Sequence, residues 1–187
     1  MAGIIIGIVL GGIVILLVLW LIITYNIFVS MRNSIDEAFS TMDVYLKKRY
    51  DLIPNIVATV KGYAKHEKDT LEKVIQARNM AINSKNDQEK INNENILTGT
   101  LKTLFAVAEQ YPDLKADKNF IDLQNTLKIL ESEIASSRKY YNGTVKVYNI
   151  KREKFPSNLV SKWFKFEKRA LFEVEQTEER KNVKVEF

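Results

Sequence analysis

Cysteine is absent from this chain, which excludes a disulfide scaffold, a thiolate metal site and a cysteine nucleophile. Histidine occurs once, at His66 in GYAKHE. A zinc-protease signature would need a second imidazole four residues on, and position 70 is Thr. The seven glycines form neither GxGxxG nor GxxxxGKS, so both phosphate-cradling loops are excluded. No cofactor and no metal are expected. Acid pairs do occur, at Asp36-Glu37, at Glu131 with Glu133 and at Glu178-Glu179, but they fall on charged helical faces where solvation explains them. No catalytic residue is assigned, and the chain does not read as an enzyme.

The most informative absence is regional. Residues 1–31 carry no charged side chain, so all 28 Lys+Arg and all 23 Asp+Glu lie beyond Met31. From Ile4 to Ile23, IIIGIVLGGIVILLVLWLII has sixteen Ile, Val or Leu in twenty positions. Twenty helical residues rise about 30 Å, the thickness of a hydrocarbon core. Those sixteen side chains contribute roughly −5 to −10 kcal/mol to insertion, enough to outweigh Gly7, Gly11 and Gly12. A cleavable signal would need a basic start and a small-residue cleavage site before the charges begin, and the run has neither. Residues 1–31 are read as a transmembrane anchor and residues 32–187 as one cytoplasmic domain. Nothing basic precedes the span, whereas Arg32 and then Lys47, Lys48 and Arg49 follow it. That asymmetry predicts a single pass through the inner or plasma membrane, with a short external N-terminus and a cytoplasmic body. Trp20, Tyr25 and Arg32 are read as anchors at the membrane interface, with lipid as their partner. Gly3, Gly7 and Gly11 recur every four residues, a smooth stripe along which a second copy of the helix can approach closely. A homo-oligomer is expected.

Beyond Arg32 the apolar period is helical. Phe39, Met42, Leu46, Ile53, Ile56 and Val60 form one stripe that resumes at Leu71, Val74 and Ile75. It predicts one helix from the membrane to about Ile82, kinked near Pro54. Asn83 to Asn95, NSKNDQEKINNEN, reads as a loop. A second helix is expected from about Ile91 or Asn92 to Tyr111, stopped by Pro112, with Leu97, Leu101, Leu104, Phe105 and Ala108 inward. Asp117 is placed as the N-cap of a third, whose stripe of Phe120, Leu123, Leu127, Leu130, Ile134, Tyr141 and Tyr148 lasts until Pro156. The fold class is therefore all-α: a membrane-spanning helix continuing into an antiparallel bundle of long helices, with an irregular C-terminal tail. Only VKVEF, Val183 to Phe187, alternates like a strand.

Five segments together resemble the LemA family of bacterial membrane proteins. They are LKKRYDLIPNIVATVKGYAKHE (Leu46 to Glu67), YPDLKAD (Tyr111 to Asp117), SRKYYNGTVKVYN (Ser137 to Asn149), FPSNLV (Phe155 to Val160) and the closing VKVEF. The likeness covers nearly everything from Tyr25 onward. It implies a single N-terminal span with a helical cytoplasmic domain, and it brings no established activity, so no catalytic residue carries over. Phe39, where relatives have Trp, and the bulky Trp163-Phe164 depart from the family pattern.

Three groups of residues remain as candidates. The dipeptide Tyr-Asn recurs at Tyr141-Asn142 and Tyr148-Asn149, seven residues apart and so on one helical face. These four residues are read as a polar packing layer that bonds a neighbouring helix and fixes its register. Arg49 and Arg138, which interrupt or flank apolar stripes, are paired in this reading with Asp51 or Glu67. Lys47, Lys48 and Arg49 lie roughly 22 Å along the helix from Arg32, beyond the ~8 Å over which salt leaves a lipid surface attractive, and are read as contacts for another protein. Phe155 to Phe172 interleaves aromatics with Lys162, Lys165, Lys168 and Arg169. Within it Trp163, Phe164 and Phe166 are candidate protein contacts, the alternatives being a cap on the bundle end or an interfacial element on lipid. A long first helix would hold this segment far from the bilayer. The net charge of +5 is spread through every helix alongside acids, so nucleic acid is not an expected partner. The function expected is a membrane-anchored, non-catalytic scaffold or adaptor that self-associates and offers a helical platform to a membrane or cytoplasmic protein. The alternatives are a membrane-shaping protein whose body lies on the bilayer and, less favoured, an envelope enzyme.

Overall fold

The computed structural model describes residues 1–172, and these are helical almost throughout, with no strand among them. The helices are α1 (Ala2–Tyr63), α2 (Lys68–Ile82), α3 (Asp87–Ala108), α4 (Pro112–Ala116), α5 (Lys118–Glu153) and α6 (Ser157–Trp163). The alternating VKVEF and most of the expected tail lie outside the described residues. The chain divides into two compact units, one of Met1–Thr41 with Ser137–Leu171, the other of Met42–Ser136 with Phe172 among the described residues.

In the second unit α1 contributes Met42, Leu46, Ile53, Ile56 and Val60, each with no exposed surface. Against them pack Leu71, Val74, Ala77 and Ala81 of α2, Ile91, Leu97, Leu101 and Leu104 of α3, and Phe120, Leu127 and Ile134 of α5. Polar ties give the directions. Arg78 on α2 donates to the Tyr50 carbonyl at 2.7 Å, so α2 runs back along α1. Lys90 meets Asp43 and Tyr111 donates to Glu67 at 3.0 Å, so α3 runs parallel to α1. Tyr63 donates to Asp117 at 2.8 Å and Arg49 reaches Glu131 at 2.7 Å, so α5 is antiparallel to it. The result is an up-down-up-down four-helix arrangement with short connections.

Two boundaries differ from expectation. The first helix does not reach Ile82: α1 passes through Pro54 unbroken and ends at Tyr63, and a four-residue turn precedes α2. Val60, Ala64, Leu71 and Val74 are all buried, so the apolar phase runs straight through that turn and hides it. The polar stretch is mostly helix rather than loop, because α3 begins at Asp87. Asn86 accepts from the Glu89 amide at 2.9 Å while the Glu89 carboxylate accepts from the Lys85 amide at 2.9 Å, a near-reciprocal cap that outweighs the weak propensity of the residues after it.

In the first unit α1 and α5 lie antiparallel, with Phe28 edge-on to Tyr148 (centroids 6.0 Å) and Phe39 to Tyr141 (5.7 Å). After α5 the chain folds onto its own end. Ser157 Oγ donates to the Lys151 and Lys154 carbonyls at 2.6 and 2.8 Å, and Ser161 Oγ to the Arg152 carbonyl at 2.9 Å. α6 then closes with Lys165 at φ 55°, its amide bonded to the Lys162 carbonyl (3.3 Å) and the Phe166 amide to the Ser161 carbonyl (2.9 Å). That pair of bonds is a Schellman motif with lysine where glycine is usual. It reverses the chain so that Phe166 turns into the core while Trp163 and Phe164 stay outside.

Candidate membrane and protein-contact site

The apolar stretch of α1 is long and hydrophobic enough to cross a membrane, and no part of its most apolar window is covered by the other described residues. A core helix of that composition would be buried; here Ile4 to Leu19 stand exposed. Gly3, Gly7 and Gly11 lie on this exposed stretch, and a methyl group built on any of them would meet no atom within 4 Å. Trp20 is half-buried and Arg32 exposed.

Tyr25 is where the aromatic segment returns. Its ring lies 4.7 Å from Phe164 and 5.7 Å from Phe166, and Phe28 stacks on Phe166 at 4.9 Å. The expectation that residues 155–172 lie far from the end of the apolar run is therefore corrected, because α5 brings them back beside Tyr25. Phe166 is corrected as a surface contact as well: it is buried between Tyr25 and Phe28. Trp163 remains 75% exposed and Phe164 42%.

The polar layer of α5 also acts differently from expectation. Tyr141 and Tyr148 are buried, but their hydroxyls donate to the Ala170 carbonyl (3.1 Å) and the Glu167 carbonyl (2.9 Å) rather than to a neighbouring helix. Asn149 pairs twice with the backbone of Arg169, donating to its carbonyl at 2.9 Å and accepting from its amide at 3.1 Å. Asn142 is half-buried beside them. Arg152 adds a bond to the Phe166 carbonyl at 2.8 Å. The segment after the Schellman turn is extended, so its backbone groups have no helical partners and side chains of α5 satisfy them. Burial of Tyr148 raises its phenol above the ordinary range, which keeps it a neutral donor. Arg169 finally reaches Asp36 of α1 at 2.8 Å.

In the second unit Arg49 is not a surface contact. Its side chain has no exposed surface, and its partners are Glu94 and Glu131, with Thr98 at 3.3 Å, instead of Asp51 or Glu67. Glu94, equally buried, also accepts from the Tyr50 hydroxyl. Burial, together with the Glu94 charge and hydrogen bond, pushes the Tyr50 phenol far above its ordinary value. Tyr50 and Glu94 escape the sequence reading, and Glu131, read there on a solvated face, is a partner of Arg49; the one available signal is an arginine in an apolar heptad slot. Lys47 and Lys48 are exposed, Lys48 lying over the Tyr45 ring at 5.5 Å. A separate groove of about 390 Å³ runs between α1 and α2, floored by Val57, Leu71 and Ile75 and edged by Lys61, Lys65 and Lys68. His66 is exposed in the adjoining turn, and among the described residues no three His, Asp or Glu side chains are gathered as a metal site would need.

Residues 38–187 match the family model described as LemA family. The chain belongs to the LemA family. Among curated LemA relatives, Protein LemA of Metamycoplasma hominis is 27% identical over 151 residues, covering 79% of this chain and 68% of that protein. Magnetosome protein MamQ 2 of Paramagnetospirillum magneticum is 26% identical over 167 residues, 75% of this chain and 61% of its own length. Magnetosome protein MamQ of Magnetospirillum gryphiswaldense is 23% identical over 162 residues, 73% of this chain and 60% of that protein. This chain thus spans about three fifths of the length of its MamQ relatives. The exposed apolar helix and LemA membership together make it a membrane-associated helical protein.

Proposed function

We propose that this LemA-family protein is a non-catalytic adaptor, held by a single span in the inner or plasma membrane, that self-associates in the bilayer and offers its helical cytoplasmic body to partner proteins. The observation that carries the reading is the exposed apolar half of α1, continuous in one helix with residues that build packed cores. Self-association is supported by Gly3, Gly7 and Gly11, since a stripe without side chains allows close backbone approach. Docking of other proteins is supported by the groove at Lys61, Lys65 and Lys68, whose apolar floor suits an amphipathic segment and whose three lysines outnumber its one acid, Glu72, which pairs with Lys68 at 3.6 Å. Membership of the LemA family, with a LemA protein and magnetosome proteins among the relatives, supports membrane association. The test is the mass of the full-length protein in nanodiscs or native-lipid particles. More than one copy per particle is the expected result, reduced to one by Gly7→Leu; a strict monomer at every protein-to-lipid ratio would overturn self-association.

A further inference from the structure

The outward face of α6 is apolar where a helix of a soluble body would be polar. Leu159 and Trp163, four residues apart, share one face of α6, and Phe155 stands in the turn just before it; the three are 55, 75 and 74% exposed. The opposite face, Ser157, Val160 and Ser161, is buried against the end of α5. Around these residues the chain is basic: between Lys151 and Lys168 there are six Lys or Arg and two acids, Glu153 and Glu167. Lys154, Lys162, Lys165 and Lys168 are all exposed, and Lys168 stands 3.7 Å from Glu153.

Position decides what covers this face. Phe164 and Phe166 touch Tyr25, two residues beyond Ile23, the last residue of the apolar run. When that run lies across a bilayer, the outward face of α6 is held at the level where the run leaves the hydrocarbon. There amphipathic rings and lysine stems are stabilised and anionic headgroups lie within screening distance of the ammonium groups. We infer that α6 with its flanking lysines is a second membrane contact, laying Phe155, Leu159 and Trp163 into the headgroup layer of the bilayer that holds α1, with a preference for anionic lipid. Two attachments then fix the tilt of this first unit, where a lone span would let it swing.

The inference rests on the anchor reading, and the two tryptophans separate them. The chain has only Trp20, within the apolar run, and Trp163, on α6. Full-length Trp163→Phe and Trp20→Phe each leave one reporter, to be reconstituted into vesicles with and without phosphatidylglycerol, using lipids brominated near the headgroup or deep in the acyl chain. Trp20, near the end of the apolar run, is quenched by bromines near the headgroup more than by deep ones if α1 spans. Trp163 emission is expected to be blue-shifted and to fall to about half or less with shallow bromines, more so when phosphatidylglycerol is present. Quenching of Trp20 with none of Trp163 overturns the α6 contact alone, and a blue-shifted but unquenched Trp163 overturns it in favour of burial by a second copy. Equal quenching in both vesicle types overturns the anionic preference. Quenching of neither tryptophan overturns both the contact and the anchor.

Discussion

The guanidinium of Arg49 on α1 and the carboxylate of Glu94 on α3 form an ion pair with neither side chain exposed. Tyr50 and Glu131 complete the cluster at its edges, the latter still 34% exposed and so able to take up water. A pair this deep is strongly coupled because removing either partner leaves the other charged in a dry core. Glu94→Leu is expected to cost about 3–5 kcal/mol. Arg49→Met is expected to cost a comparable amount, and Arg49→Met with Glu94→Leu distinctly less than the two together. Denaturant unfolding of the native chain and the three variants followed by circular dichroism supplies the cycle, and strict additivity would contradict the coupling.

That cluster also explains where the sequence was legible and where it was not. The apolar stripes through Met42, Leu46, Ile53, Ile56 and Val60, and through Leu97, Leu101 and Leu104, matched the buried faces because a 3.6-residue period needs no tertiary knowledge. Arg49 stands visibly out of place in its stripe, yet its partner Glu94 sits in NNENI, where the stretch read as loop overlaps the expected start of the second helix. The cap formed by Asn86 and Glu89 turns that stretch into helix, and only then does Glu94 face inward. The turn after Tyr63 stayed hidden for the opposite reason, since four residues of turn preserved the apolar phase. The placement of Phe164 and Phe166 beside Tyr25 depends on the length of α5 and on a lysine adopting a left-handed conformation at Lys165, neither of which local patterning announces.

Lys165 itself makes a prediction. A side chain at φ 55° is strained by roughly 1–2 kcal/mol relative to glycine. Lys165→Gly is therefore expected to leave the fold intact and to raise the midpoint of thermal unfolding slightly, while Lys165→Val is expected to lower it. A drop for the glycine variant as large as for valine would mean that the lysine side chain, not the backbone, holds the turn.

The extended segment after α6 is held by side chains of α5. Losing the hydroxyl in Tyr148→Phe leaves the Glu167 carbonyl without its donor, a cost of about 1 kcal/mol. Asn149→Ala removes two bonds to the Arg169 backbone at once. Both variants are expected to speed tryptic cleavage at Lys168 and Arg169 while leaving helix content nearly unchanged, with Asn149→Ala the faster. Unchanged cleavage in both would show that the remaining ties, the buried Phe166 and the bonds with Tyr141, Arg152 and Asp36, hold the segment without them.

Asp117 caps α5 by accepting from the Phe120 amide at 2.8 Å, and it also accepts from the Tyr63 hydroxyl. These bonds favour the carboxylate and hold its pKa below the usual value. Because the unfolded chain then binds the proton more readily, the stabilisation is complete above the ordinary aspartate pKa of about 3.9 and is lost as pH falls through the lower folded value. Asp117→Asn keeps an accepting oxygen without the titration. Thermal melts across the acid range should fall more steeply for the native chain than for this variant, and parallel curves would assign the acid sensitivity elsewhere.

Orientation is open to a clean test because the chain has no cysteine of its own. Ala2→Cys and Lys48→Cys each introduce one thiol, the second at an exposed position that leaves the Arg49 cluster untouched. No basic residue precedes the apolar run and several follow it, and burial of Arg49 in the folded body does not remove it from that asymmetry, which acts on the nascent chain during insertion. A membrane-impermeant maleimide should therefore label position 2 in intact cells and position 48 only after the membrane is opened. The reverse pattern would place the helical body outside, and the distribution of lysine and arginine would then have failed to direct it.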